Sequence, residues 1–192
     1  MIAIIKYNAG NIRSVENALK RLGCNCLITD NPDDILGADK VIFPGVGEAS
    51  SAMAYLEKKG LDRLIVSLTQ PVLGICLGLQ LMCRHSEEGN TGCLNIFDAD
   101  VHLFPRSDKV PHMGWNNLRE SKGPLFRDMN PEADLYFVHS YFAGISGCTA
   151  AVCDYILPFS AAMQKGNFHA TQFHPEKSSS AGEKILKNFL AL

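Results

Sequence analysis

The segment Val72-Leu73-Gly74-Ile75-Cys76-Leu77-Gly78 sets a cysteine between two glycines, where an apolar run gives way to a helical pattern. This is the G-x-C-x-G spacing of a nucleophile elbow. A nucleophile there occupies a tight strand-to-helix turn, so its flanking residues must be small for strand and helix to approach, and the side chain is pushed into the open. The helix beginning at Leu77 directs its first N–H groups and positive end towards the sulfur, which favours thiolate. The same spacing also fits a buried structural cysteine at a glycine-rich turn. A second group lies far along the chain, in Thr171-Gln172-Phe173-His174-Pro175-Glu176, where a strand delivers a histidine followed two residues later by a carboxylate. Free thiols ionise near ~8.5, so a cysteine nucleophile working at neutral pH needs an imidazole to hold the thiolate and to protonate the leaving group, and the imidazole needs a carboxylate to fix its tautomer. Alone, His174 also fits a packed or surface histidine. Paired with the elbow, the triplet His174-Pro175-Glu176 makes a Cys-His-Glu triad.

The pattern around these residues predicts the elements that hold them. Apolar, β-branched runs at 2–6, 24–29, 40–43 and 71–75 read as strands. Between them, helical spacing predicts helices over 12–22, closed by Gly23, over 49–58 and over 61–68, with a short helix or turn at 34–36. Strands alternating with helices in this way predict a doubly wound α/β fold, its mostly parallel sheet covered by helices on both faces and its chemistry at the carboxyl ends of the strands. The second half reads differently. Strand candidates at 99–104, 115–118, 135–138, 150–154 and 161–164 have no long helices between them, which predicts an antiparallel or mixed extension. A last helix is predicted over 180–190. No repeat, low-complexity tract or linker interrupts residues 1–192, which read as one domain.

Composition narrows the function. The chain has 192 residues, 46% of them hydrophobic, with 18 basic against 20 acidic side chains and no long run of either sign. That balance argues against nucleic acid and membrane surfaces as partners. No apolar stretch has the ~20 residues of a membrane span and the start lacks a signal-peptide pattern, so a cytoplasmic location is expected. The seven cysteines match no zinc spacing. Most are expected to be small buried residues in a reducing compartment, and neither a metal nor a cofactor is expected.

The motifs Pro44-Gly45-Val46-Gly47, LGICLGLQLM at 73–82, HSY at 139–141 and QFHPEKS at 172–178 resemble class I glutamine amidotransferases over nearly the whole chain. Within that family, NAGNI at 8–12, HMGWN at 112–116, YFVHSY at 136–141 and PFSAAMQKGNF at 158–168 are similar to the glutaminase subunits of imidazole glycerol phosphate synthases. The resemblance implies a flavodoxin-like fold and hydrolysis of L-glutamine through a thioester on Cys76, with His174 as acid and base and Glu176 orienting it. It implies an oxyanion hole formed by the N–H of Leu77 and one from the 44–47 loop at Gly47, which a peptide flip completes. It also implies that Gln80, Glu88, His139, Ser140 and Tyr141 hold the substrate. From the residues alone, Gln80 reads equally as an ordinary helix residue, Glu88 as a solvated charge beside Glu87, and His139 as a core histidine. His85, His102, His112 and His169 have no evident constellation.

The sequence carries no phosphate-cradling loop, nucleotide fingerprint or second domain for an acceptor. Ammonia released into water is protonated and lost, so a partner that takes it directly is expected. The resemblance implies a (β/α)₈ cyclase forming a heterodimer in histidine biosynthesis, with Asn11, Ser14, Trp115 and Lys177 on the shared face. Three rival readings remain open from sequence. One is a glutaminase serving another pathway, including a paralogue that feeds a sugar-amidating synthetase; another is a non-catalytic subunit that kept the fold. The last, a papain-like protease, requires a different chain order.

Overall fold

A computed structural model describes residues 1–7 and 10–192. Asn8 and Ala9 of the NAGNI motif lie outside the described residues. The first half runs β1 (Ile2–Ile5), α1 (Ile12–Arg21), β2 (Cys26–Thr29), α2 (Pro32–Leu36), β3 (Lys40–Gly45), α3 (Ala49–Lys59), α4 (Leu61–Ser67), β4 (Val72–Cys76) and α5 (Leu77–Met82). The second half runs β5 (His85–Ser86), β6 (Thr91–Gly92), β7 (Asp100–Leu103), β8 (His112–Asn116), β9 (Glu120–Ser121), β10 (Leu135–His139) and β11 (Tyr141–Ala143). It closes with β12 (Thr149–Tyr155), β13 (Leu157–Lys165), β14 (Phe168–Thr171) and α6 (Ser179–Leu190).

The main sheet has eight strands in the order β2-β1-β3-β4-β14-β13-β12-β9. Its first five strands pair in parallel and the last three antiparallel, which is the parallel half and antiparallel extension expected from the sequence. Two smaller sheets, β10-β8 and β11-β7-β5-β6, lie beside it. Alternation along β1 shows why both faces are covered: Ile2 and Ile4 join α1 and α6 through Val15, Leu19, Ile185 and Phe189, while Ala3 and Ile5 join α3 and α4 through Met53, Leu56, Leu61 and Ile65. Each such Ile or Leu taken fully out of water contributes about 1.5–3 kcal/mol. Local chemistry sets the element ends. Gly23 takes φ 76° after α1, and the N–H groups of Gly23 and Cys24 close on the carbonyls of Lys20 and Leu19. Asn31 caps α2 by accepting from the N–H of Asp33, with Pro32 at the first helical position.

The pairing that matters most for the chemistry is β14 on β4. They run parallel in the register Phe168↔Val72 to Thr171↔Ile75. Residues just past the carboxyl end of one strand therefore lie beside those past the end of the other, so the topology alone brings Cys76 and His174 to one place.

Several expectations need correction. The HMGWN stretch is strand β8, starting three residues before the expected 115–118. It was hard to read because its pattern is inverted: His112 is buried, while Met113 and Trp115 are 61% and 54% exposed. Strand β13 begins four residues earlier than expected, and the two-residue strands β5, β6 and β9 carry too little pattern to be read. Of the seven cysteines only Cys76, Cys83 and Cys153 are buried; the other four are half-buried, and all seven are free thiols. Among the described residues no helix is long and apolar enough to cross a membrane.

Candidate active site

The turn at Cys76 is strained, as the glycine spacing requires. Cys76 adopts φ 54°, ψ −104°, a region L-residues rarely occupy, between the last pairing of β4 and the start of α5. Gly78 packs against β3 so closely that a Cβ there would stand 1.9 Å from the carbonyl oxygen of Phe43. At Gly45, which pairs with Cys76, a Cβ would meet the Tyr7 hydroxyl at 1.9 Å. The sulfur is not in the open, however. Cys76 is 6% exposed and sits at the floor of a cleft of about 260 Å³.

That cleft collects residues from five separate parts of the chain. Cys76, Leu77 and Gln80 come from the elbow, Val46 and Gly47 from the loop after β3, Glu88 from the turn after β5, Pro111 from the approach to β8, and Val138 to Tyr141 from the end of β10 and the start of β11. Every oxyanion and substrate residue proposed from the sequence lines it. A larger cleft of about 650 Å³, beside Trp115 and the start of α6, contains none of these groups.

His174 and Glu176 lie behind the cleft and are buried. Nδ1 of His174 is 2.7 Å from Oε1 of Glu176, and 1% and 0% of the two side chains is exposed. Burial on its own lowers the imidazole pKa, but the Cys76 sulfur and the Glu176 carboxylate outweigh it and hold His174 at about 10. Nε2 has no hydrogen-bond partner among the described residues and is available to exchange a proton. Asn11, expected on a partner face, turns its side-chain amide onto Oε1 of Glu176 and stands 3.4 Å from Nδ1 of His174. It adopts φ 68° at the start of α1 and makes no side-chain cap there.

The other residues divide in the same way. Glu88 accepts from the N–H of Ala49 through Oε2 at 2.8 Å, tying the cleft wall to the first turn of α3, just after Gly47. Burial raises its pKa. Gln80 is buried and spends both amide hydrogens, on the carbonyl of Tyr141 at 2.9 Å and on Oε1 of Gln172 at 3.1 Å, so Oε1 is the polar atom it has left for a ligand. In the loop at 44–47, Gly47 is exposed with φ 139°, and the carbonyl of Val46 accepts from the N–H of Gly10 at 3.1 Å. Trp115 meets the ring of Tyr136 edge-on at 5.7 Å, and Nζ of Lys177 lies 5.9 Å above that same ring. Ser14 is half-buried on α1.

Sequence reasoning passed over Tyr7, whose hydroxyl is buried without a partner among the described residues, and over Gln172 and His112. Nδ1 of His112 is 3.0 Å from Nε2 of His139, making a buried pair between β8 and β10. Only the position of Gln172, two residues before His174, could have drawn attention to it.

With the geometry in place, comparison with known proteins adds the ancestry. A family model described as "Glutamine amidotransferase class-I" matches residues 3–192. The chain belongs to this family. Among curated class I amidotransferase relatives, "Imidazole glycerol phosphate synthase subunit HisH" of Bacteroides fragilis (strain YCH46) is 61% identical over 100% of this chain and 99% of its own length. The protein of the same name from Vibrio cholerae is 44% identical over 100% and 98%. Solved structures agree on the fold. A "Crystal structure of glutamine amidotransferase" covers 100% of this chain and 98% of its own, with TM-score 0.76 at 18% identity. The crystal structure of a glutamine amidotransferase from Thermotoga maritima covers 99% and 80%, with TM-score 0.63 at 17% identity. The papain-like reading falls with the family assignment.

Proposed function

We propose that residues 1–192 form one glutaminase domain that hydrolyses L-glutamine to glutamate and ammonia, and that the chain is the glutaminase subunit of an imidazole glycerol phosphate synthase in histidine biosynthesis. The observation that carries this is the convergence of Cys76 with Gly47, Leu77, Gln80, Glu88 and the 139–141 run around one small cleft, with His174 and Glu176 buried behind the sulfur. The names and full-length coverage of the curated relatives support the pathway.

In this reading the Cys76 thiolate attacks the side-chain amide carbon of glutamine, and the N–H groups of Leu77 and the loop at Gly47 receive the developing oxyanion. The His174 imidazolium gives its proton to the leaving nitrogen, which departs as ammonia and leaves a thioester. A water molecule then surrenders a proton to the neutral imidazole and attacks the thioester, releasing glutamate and restoring the charged pair. Glu176, itself held by Asn11, keeps the ring oriented through both halves. Glu88 offers a carboxylate to the α-ammonium of the substrate, and Ser140 and Tyr141 frame its α-carboxylate. The chemistry needs no cofactor.

Ammonia passes to a (β/α)₈ cyclase bound as a heterodimer over the active-site mouth, in the cytoplasm. Trp115, Lys177 and Met113 form the exposed part of that face, with the half-buried Tyr136 between them, and Ser14 borders it. Asn11 contributes from beneath, through Glu176.

The test is glutamate release by the purified chain, alone and with the cyclase and its ribonucleotide ligand. Stimulation by the liganded cyclase, abolished in Cys76→Ala with the complex intact, is the expected result. Wild-type turnover by Cys76→Ala removes the assigned nucleophile, and stimulation by a sugar-amidating synthetase instead moves the chain to another pathway.

A further inference from the structure

The thiol of Cys76 has a neighbour besides His174. Nε2 of Gln172 lies 3.6 Å from Sγ, and Gln172 is completely buried. Amide nitrogen and oxygen look alike in shape, so its orientation must be argued from its surroundings, and here they fix it. The Tyr141 carbonyl can only accept, so the Gln80 atom 2.9 Å from it is the amide nitrogen. That nitrogen also faces the Gln172 side chain at 3.1 Å, so the Gln172 atom opposite is the oxygen. The remaining Gln172 atom, the one at the sulfur, is therefore NH₂.

The same carbonyl anchors a second run of bonds. Nδ1 of His139 donates to Tyr141 at 2.8 Å, leaving Nε2 as an acceptor for Nδ1–H of His112 at 3.0 Å. Nε2 of His112 then accepts from Asn116, whose amide also donates to the carbonyl of Asp154. Each donor in this series meets an acceptor. Turning Gln172 around would set oxygen against sulfur and NH₂ against NH₂.

We propose that Gln172 is a further catalytic residue, whose amide N–H donates to the Cys76 sulfur and holds it as the attacking thiolate, its orientation imposed by Gln80 and the Tyr141 carbonyl. The inference rests on Cys76 being the nucleophile. A hydrogen bond to an ionised acceptor is stronger than one to the neutral form, so this donor stabilises the thiolate before substrate arrives. It receives the sulfur again as thiolate when the thioester is hydrolysed and the charged pair is restored.

The experiment is iodoacetamide labelling of Cys76 in the full-length chain across pH, followed on the Cys76 peptide by mass spectrometry, together with steady-state glutaminase kinetics in complex with the cyclase. Gln172→Glu keeps an oxygen for Gln80 but sets an anionic acceptor against sulfur; Gln172→Met removes the donor without adding charge and serves if the carboxylate variant does not fold. Both are expected to move half-maximal labelling up by about one pH unit or more and to lower kcat about tenfold or more with KM for glutamine little changed. A wild-type labelling profile in the variant that folds overturns the role of Gln172, even if its thermal stability has dropped, because a purely structural residue changes stability without moving that profile. The underlying assignment fails separately: it falls if Cys76→Ala retains turnover, whatever the Gln172 variants do.

Discussion

The buried pair His112 and His139 makes the fold sensitive to mild acid. Burial is the leading cause of a lowered pKa at both, placing His112 at about 4 and His139 at about 3. An unfolded chain takes up imidazole protons near the ordinary value of about 6.5, and the folded chain refuses them down to those lower values. The stabilisation is therefore complete above pH 6.5 and is lost as pH falls through the window towards 4 and 3. Each pH unit below 6.5 costs about 1.4 kcal/mol per imidazole, so at pH 5 each costs about 2 kcal/mol and the pair about 4 kcal/mol. Total stabilities are about 5–15 kcal/mol, so this is a large share. Neighbouring groups do not cancel it. His174, with its raised pKa, is charged in the folded chain throughout this window, and the stability it confers is complete below pH 6.5 and lost only as pH rises towards about 10. His169, also lowered by burial, adds to the loss. The assay is urea unfolding at pH 7 and pH 5 for the wild type, His112→Gln and His139→Gln. The quantity read is the difference between the two pH values, so any cost of the substitution itself drops out. Each variant should lose about 2 kcal/mol less than the wild type between pH 7 and pH 5. Equal losses in all three proteins would refute the assignment of this acid sensitivity to the histidine pair.

Three further outcomes follow from single contacts. Tyr7→Phe removes a buried hydroxyl that has no partner among the described residues and should stabilise the chain by about 1 kcal/mol, seen as a higher melting temperature; a lower one counts against the orphaned hydroxyl. Gly78→Ala drives a methyl group into the Phe43 carbonyl and should cost about 3 kcal/mol or more, while Gly92→Ala, with nothing near its added carbon, should be close to neutral; similar melting curves for both variants would contradict the packing described at the elbow. Glu176→Gln leaves the buried His174 without its anion and should lower kcat about a hundredfold or more with little change in KM. Turnover within twofold of wild type would separate Glu176 from the mechanism.

Much of this was legible in the sequence wherever one physical signal dominated. Strands β1, β3 and β4 are apolar because both faces are covered, and α1 and α6 carry clear stripes, so the parallel half of the sheet could be read directly. The elbow glycines stand out because Gly78 leaves no room for a side chain. Strand β8 was misplaced because it turns apolar residues outward and polar ones inward, the reverse of what hydropathy alternation assumes. The exposure of Cys76 was misjudged for a related reason: the strained turn presents the sulfur to a cleft whose walls come from distant segments. Gln172 and His112 were passed over because a buried amide or imidazole gains its role only from partners brought together by the fold. The hydrogen bond from Asn11 to Glu176 was not legible either, since side-chain direction leaves no trace in spacing.

The parallel pairing of β14 with β4 also sets an order of assembly. The strand that ends at Cys76 is synthesised almost a hundred residues before the strand that leads to His174, and until Phe168–Thr171 emerges, β4 has a bare edge in the middle of what will be the sheet. Such an edge invites wrong partners, and pairing over so long a loop is slow to form. Closing that edge completes the central sheet and delivers His174 to Cys76 in the same event. An incomplete chain thus lacks the pairing that closes the sheet, and on the proposed mechanism it also lacks the imidazole that would work with Cys76, so a partly made chain would have little means of hydrolysing glutamine wastefully.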